Sequence, residues 1–83
     1  MTSEQIENFL VPEHLSKNPV RISFKNRNNV IGVFIDSPEF KDLKQKNFWR
    51  IVQEKDLKRW QEKREMKLVR IYNGAEFTKL VVN

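Results

Sequence analysis

Residue types used in catalysis are sparse in this chain of 83 residues. His14 is its one histidine, and cysteine is absent. A general base needs an oriented partner, and a metal site needs several ligands, so we expect an isolated histidine to serve in packing or at the surface. The carboxylates lack the spacing of a metal loop or an acid–base pair, and two glycines cannot form a phosphate-binding loop. The sequence therefore predicts no enzyme, no metal site and no cofactor.

Binding chemistry is better represented, because several aromatic residues lie among basic ones. Proteins hold single-stranded nucleic acid with aromatic rings that stack on bases and with cations that neutralise phosphates. Phe40 and Tyr72 are the rings expected to stack on a base, with packing into the core as the alternative for both. The candidate nucleic-acid-binding residues are Phe40, Lys41, Lys44, Lys46, Arg50, Arg70, Tyr72 and Asn73.

The basic residues are concentrated in one part of the sequence. Residues 41–67 contain ten Lys or Arg and five Asp or Glu, so they carry the whole formal charge of +5. Such an excess attracts phosphates or an acidic protein surface. Bases interleaved with acids are also typical of a solvated helix with salt bridges. Both interpretations remain open from the sequence.

Two adjacent runs of residues predict the strands at the centre of the fold. Residues 19–25 alternate apolar and polar side chains, the pattern of a strand with one buried face. Residues 29–36 are apolar on both faces, so this strand should be covered on both sides or strongly bent. Gly32, in its middle, favours a bend or bulge. The polar residues 26–29 predict the turn that joins the two strands.

Three further segments complete the predicted order of elements. Thr2 and Gln5 form a capping box for an N-terminal helix. Residues 47–52 predict a third strand, with Trp49 and Ile51 on the core face, and residues 53–66 predict a charged helix. Trp60 of that helix is expected to cover Trp49 or Phe48 from outside. Both tryptophans are predicted to pack, because a small domain needs large side chains in its core.

The last part of the chain predicts two more strands. Asn73-Gly74 is the strongest hairpin signal in the sequence, and the strands on either side lie at 67–72 and 76–82. The predicted fold class is mainly β with helices (α+β), a small five-stranded SH3-like or Sm-like barrel. One domain spans residues 1–83. It comprises an N-terminal helical cap (1–18), strands 1–3 (19–52), a charged helical insertion (53–66) and strands 4–5 (67–83).

The segment from 19 to 36 resembles the first motif of the Sm-like family, and of the bacterial Hfq-type proteins in particular. The matching residues, at ungapped spacing, are Pro19, Val20, Ile22, Phe24, Asn26, Val30, Gly32 and Phe34. Residues 71–74 resemble the short turn of the second Sm motif. Arg27 stands where the family has a turn glycine, and Asn73-Gly74 stands in place of the Lys-His of Hfq-type proteins. The resemblance implies a barrel that binds single-stranded RNA.

The alternative from a different class is an SH3-like protein–protein interaction module whose basic helix docks on an acidic partner. Self-association through edge strands fits either function, since the chain ends in an apolar strand. No apolar run approaches the roughly 20 residues that cross a bilayer, and the N-terminus lacks the pattern of a secretory signal. We therefore expect a cytoplasmic protein with no membrane partner.

Overall fold

A computed structural model describes residues 1–10 and 13–83. They form an α+β domain with a five-stranded antiparallel sheet and three α-helices, which confirms the predicted class. In chain order the elements are α1 (Ser3–Leu10), β1 (Val20–Phe24), β2 (Val30–Phe34), α2 (Phe40–Gln45), β3 (Phe48–Gln53), α3 (Leu57–Lys63), β4 (Val69–Asn73) and β5 (Phe77–Val82). Short 3₁₀ turns at Glu54–Asp56, Met66–Leu68 and Gly74–Glu76 precede α3, β4 and β5.

The sheet is open, in contrast to the closed barrel predicted from the sequence. Its strand order is β4-β3-β2-β1-β5, so β4 and β5 are the two edges. Within the part of the chain that the structure describes, these two strands do not pair with each other. Closure would require ladder hydrogen bonds between the edges, and here only the 3₁₀ turn Gly74–Glu76 connects them.

The Asn73-Gly74 hairpin prediction is wrong for the same reason. The strand before this dipeptide pairs with β3, and the strand after it pairs with β1. Gly74 does not adopt the positive φ that the expected turn requires. The glycine instead permits a close approach, because a Cβ there would lie 2.5 Å from Ile6 Cδ1 and 2.7 Å from Trp49 Nε1.

β2 is buried on both sides, as its sequence predicts. Phe34 packs into one hydrophobic cluster, and Val33 and Ile35 pack into another on the opposite side of the sheet. Gly32 pairs with Val20 of β1 and with Gln53 of β3, so neighbouring strands enclose it. A Cβ at this position would lie 2.6 Å from Val52 O. The glycine therefore allows β3 to approach closely.

A helix covers each hydrophobic cluster. The side of the sheet on which α1 packs, here called the α1 face, carries Trp49, Ile51 and Phe34 together with Ile6 and Leu10 of the helix. The opposite side, the α3 face, carries Val33, Ile35 and Val52 beneath Trp60. Trp49 and Trp60 are both buried, as predicted. Trp60 covers Val52 rather than Trp49 or Phe48, which corrects the predicted contact.

Two segments differ from their predicted form. Residues 40–45 had no predicted element and form α2, which ends where Asn47 adopts a positive φ of 62°. Asparagine tolerates that conformation better than most residues, and it turns the chain into β3. The charged insertion is helical only at Leu57–Lys63, with 3₁₀ turns on either side.

The capping box predicted for α1 is present. The Thr2 N–H donates to Gln5 Oε1 at 2.9 Å, and the Gln5 N–H donates to Thr2 Oγ1 at 3.1 Å. We expect Thr2→Ala to lower the free energy of unfolding by about 1 kcal/mol, because it leaves a helix N–H without its acceptor. Urea denaturation followed by circular dichroism measures this change. Asn8→Ala, at an exposed position of the same helix, is the control, and an equal loss there would contradict the prediction.

Candidate nucleic-acid interface

Two of the predicted phosphate-binding cations form ion pairs with carboxylates that are distant in sequence. Lys44 Nζ on α2 binds Glu7 Oε2 of α1, and the two side chains are about one-third exposed. Arg50 on β3 binds Glu39 Oε2, which precedes α2. The Lys44–Glu7 pair is partly exposed and therefore weak, so Lys44 can still contact a ligand. The Arg50 side chain is only 19% exposed, so a phosphate would have to compete with Glu39 for its guanidinium. The pairs fix α2 against α1 and against β3.

The two rings predicted to stack on bases are turned toward the core. Phe40 is half-buried and packs edge-to-face on Trp49, with ring centroids 5.9 Å apart. Tyr72 is buried, and its hydroxyl accepts a hydrogen bond from Gln53 Nε2 at 2.8 Å. Tyr72 therefore presents no open face of the kind that a base needs for stacking, and the Phe40 ring is contacted by Trp49 and by Lys44 Nζ, which lies 5.6 Å from its centroid. As placed here, Phe40 and Tyr72 contribute to stability.

Arg27 covers the remaining part of Tyr72, a contact that the sequence reasoning missed. Its guanidinium carbon lies 5.0 Å from the centroid of the Phe24 ring and 5.7 Å from that of Tyr72. The turn that joins β1 to β2 thus reaches across to β4 through a cation–π contact. The sequence signal for this contact was an arginine where Sm-like proteins have a turn glycine. No local pattern indicates which aromatic rings that arginine contacts.

The ring that the structure exposes is Phe48. The residue is 36% exposed, and across the strand pair it lies opposite Asn73. Arg50 lies two residues further along β3, on the same face and opposite Ile71, which is 51% exposed. We call the four residues Phe48, Arg50, Ile71 and Asn73 the β3–β4 patch. It occupies the part of the α3 face beyond Val52 and Val69, which pack in the cluster with Trp60.

The remaining candidate cations are exposed, but they lie in different parts of the fold. Lys46 is exposed and lies two residues before Phe48, and Lys41 is exposed on α2. Arg70 is exposed on β4, but it lies opposite Ile51 and therefore on the α1 face. The Asn73 side chain accepts a hydrogen bond from the Ala75 N–H at 3.0 Å. The structure thus brings Arg50 and Asn73 together and places Arg70 on the opposite face.

His14 has neighbours consistent with a packing role. Its ring lies 5.1 Å from that of Phe9 between centroids, and its Nδ1 lies 3.1 Å from Asn18 Nδ2. Among residues 1–10 and 13–83 there is no group of three His, Cys, Asp or Glu arranged to hold a metal ion. The same residues include no helix with the length and apolar character needed to cross a bilayer.

No protein-family model, no curated protein and no solved structure matches this chain.

Proposed function

We propose that this chain is a small non-enzymatic RNA-binding module of Sm-like type, and that single-stranded RNA crosses the β3–β4 patch. The observation that carries this proposal is the exposed residue Phe48 on the same face of the sheet as Arg50, whose guanidinium is paired with Glu39. A base stacks on the ring, and the cation binds the adjacent phosphate. Ile71 widens the apolar surface, and the Asn73 amide supplies a hydrogen-bond donor at its end.

The charge distribution supports the same proposal. Lys41 and Lys46 form no ion pair within the described residues and lie on or just after α2, close to Phe48 in sequence. The resemblance of residues 19–36 to the first Sm motif also favours RNA as the ligand. We place this activity in the cytoplasm, and a second copy of the chain is the proposed neighbour of the free edges β4 and β5.

Filter binding of labelled oligo(U), oligo(A) and mixed RNA tests this proposal. We expect retention that falls steeply between about 50 and 200 mM salt, because phosphate contacts release counterions. Phe48→Ala should weaken binding about tenfold without changing the salt slope, since stacking contributes about 1–3 kcal/mol per base and carries no charge. Lys46→Gln should instead reduce the slope by about 0.7, the contribution of one phosphate contact.

Val81→Ala is the matched control for Phe48→Ala. Val81 is 39% exposed on β5, at the other edge of the sheet, so its truncation should leave RNA affinity unchanged. Absence of retention of every RNA at about 50 mM salt would reject the proposed function. Retention that is equally strong for wild type and Phe48→Ala would reject the β3–β4 patch as its site.

A protein-interaction module is the second candidate function, and the outer side of α3 supports it. Lys58, Arg59 and Lys63 are exposed there, and none of them forms an ion pair within the described chain. Such a surface is complementary to an acidic protein. A partner that remains bound after nuclease treatment would favour this function, and one that is released would favour RNA.

A further inference from the structure

A pocket of about 90 Å³ lies on the α3 face, between α3, β2 and the segment before β1. Its floor is apolar and consists of Val33, Ile35, Leu57 and Trp60. Its polar lining includes Ser16, Lys17, Gln61 and Arg64. The pocket is separate from the β3–β4 patch, because the residues of the patch do not line it.

The lining combines aliphatic surface with positive charge and contains no acid. The ion pairs within the described residues involve Lys44, Arg50 and Lys67, so neither Lys17 nor Arg64 is neutralised by one. A ligand that matches this lining carries a short aliphatic group for the floor and a carboxylate for the two cations. Arginine binds carboxylates through two parallel hydrogen bonds, which favours this anion.

The backbone around the pocket holds unusual conformations. Three non-glycine residues of the described chain have positive φ, and two of them, Ser16 (60°) and Arg64 (52°), line this pocket. Ser16 is held by hydrogen bonds, since its N–H donates to Phe34 O at 2.8 Å and its Oγ accepts from the Asp36 N–H at 2.9 Å. Arg64 occupies the end of α3, where glycine is the usual residue. Unfavourable backbone conformations of this kind cluster at functional sites.

Arg64 also covers the aromatic part of the pocket lining. Its guanidinium carbon lies 5.3 Å from the centroid of the Trp60 ring, so the cation covers the indole. A nucleobase therefore lacks an open ring for stacking, whereas an aliphatic side chain can contact Val33 and Ile35. Because the guanidinium is already held against the Trp60 ring, it loses less conformational entropy when it binds an anion.

We propose that this pocket binds an acidic peptide segment of a partner protein. An aliphatic side chain of the peptide occupies the floor, and a neighbouring carboxylate binds Lys17 and Arg64. The inference gives the second candidate function a specific site and ligand, and it is independent of RNA binding at the β3–β4 patch.

Titration of the isotope-labelled full chain with the blocked tripeptide acetyl-Glu-Leu-Glu-amide, followed by NMR, tests this site. We expect saturable shifts of the Trp60 indole N–H and of the Val33 and Ile35 methyl groups. The neutral analogue acetyl-Gln-Leu-Gln-amide should bind at least about tenfold more weakly, because it lacks the carboxylates. Equal affinity for both peptides, or no shift at roughly 5 mM peptide, would overturn the proposal.

Two matched variants separate the pocket from the general positive charge of the chain. Arg64→Gly removes the guanidinium at a position whose φ suits glycine, so the fold is retained. It should weaken the acidic tripeptide about tenfold or more. Arg21→Gln removes the same charge from an exposed position on β1, outside the pocket and away from α3, and should leave binding unchanged. Equal losses of affinity in both variants would overturn the proposal, since they would show that the peptide binds through the overall positive charge of the chain.

RNA serves as the competitor in the same assay. We expect oligo(U) to leave the Trp60 indole signal unshifted and the bound tripeptide in place. Displacement of the tripeptide by oligo(U) would assign the pocket to nucleic acid and overturn the proposal. A wild-type chain that fails to retain RNA on filters would reject the first proposed function, and the peptide titration would be unaffected.

Discussion

Gly32→Ala is expected to lower the free energy of unfolding by about 3 kcal/mol, the upper end of the usual cost of overpacking. The added Cβ would lie 2.6 Å from Ile51 Cγ2 and 2.6 Å from Val52 O. The carbonyl belongs to the strand that pairs with β2, so it cannot move without disturbing the ladder. Alanine also lowers the conformational entropy of the unfolded chain, which stabilises the fold by about 0.4–1 kcal/mol at sites where the side chain fits without strain. The clash exceeds that gain.

Thermal and urea denaturation followed by circular dichroism measure the effect of Gly32→Ala. A domain of this size has a small margin of stability, so a loss of this magnitude should leave a substantial unfolded fraction at 37 °C. Ala75→Gly, at an exposed position in the 3₁₀ turn before β5, is the control and should cost about 1 kcal/mol or less. An unchanged midpoint for Gly32→Ala would show that β2 and β3 do not approach each other as closely as described.

The first half of the sheet was predictable because its signals are local. Alternation in β1 and the apolar residues of β2 depend only on neighbours in sequence, and the register Ile22↔Val30 confirms that the two strands form a hairpin. The alternation along β3 likewise assigned Trp49 and Ile51 to one side of the sheet. A period of two determines which side chains share a face, whatever the rest of the fold is.

The second half was less predictable because its contacts are distant in sequence. Asn73-Gly74 has the composition of a hairpin, but β5 pairs with β1, and Leu80 lies opposite Ile22, 58 residues earlier in the chain. Local turn chemistry does not indicate which edge a following strand joins. The prediction of a closed barrel was wrong for the same reason. A sheet closes only if its two edge strands pair with each other, and the sequence of a single strand does not indicate whether they do.

The candidate site also combines features set by local sequence with features set by contacts that are distant in sequence. Sequence reasoning named basic residues that lie among aromatic ones, and it expected Phe40 and Tyr72 to be the stacking rings. Exposure depends on what covers a ring, and Tyr72 is covered by Arg27, 45 residues away in sequence. The alternation in β3 placed Phe48 opposite to the core face that Trp49 occupies, which was the one local signal that this ring is exposed.

Trp49→Ala is the second change with a large expected effect, a loss of about 3–5 kcal/mol in the free energy of unfolding. Trp49 is 1% exposed, and its ring packs edge-to-face on Phe34 at 6.0 Å and on Phe40 at 5.9 Å between centroids. Its Nε1–H donates to Asn47 Oδ1 at 2.8 Å. Alanine would leave a cavity between α2 and the sheet and an unpaired amide oxygen, so we expect a largely unfolded chain.

Phe48→Ala is the natural control for Trp49→Ala, because the two positions are adjacent on β3 and point to opposite faces. Phe48 is 36% exposed, so its truncation should cost far less stability while it weakens RNA binding. Urea denaturation of both variants measures the difference directly. If Phe48→Ala were the more destabilising of the two, the faces of β3 would be reversed. Trp49 would then be the exposed ring, and the β3–β4 patch would lose the side chain on which RNA is proposed to stack.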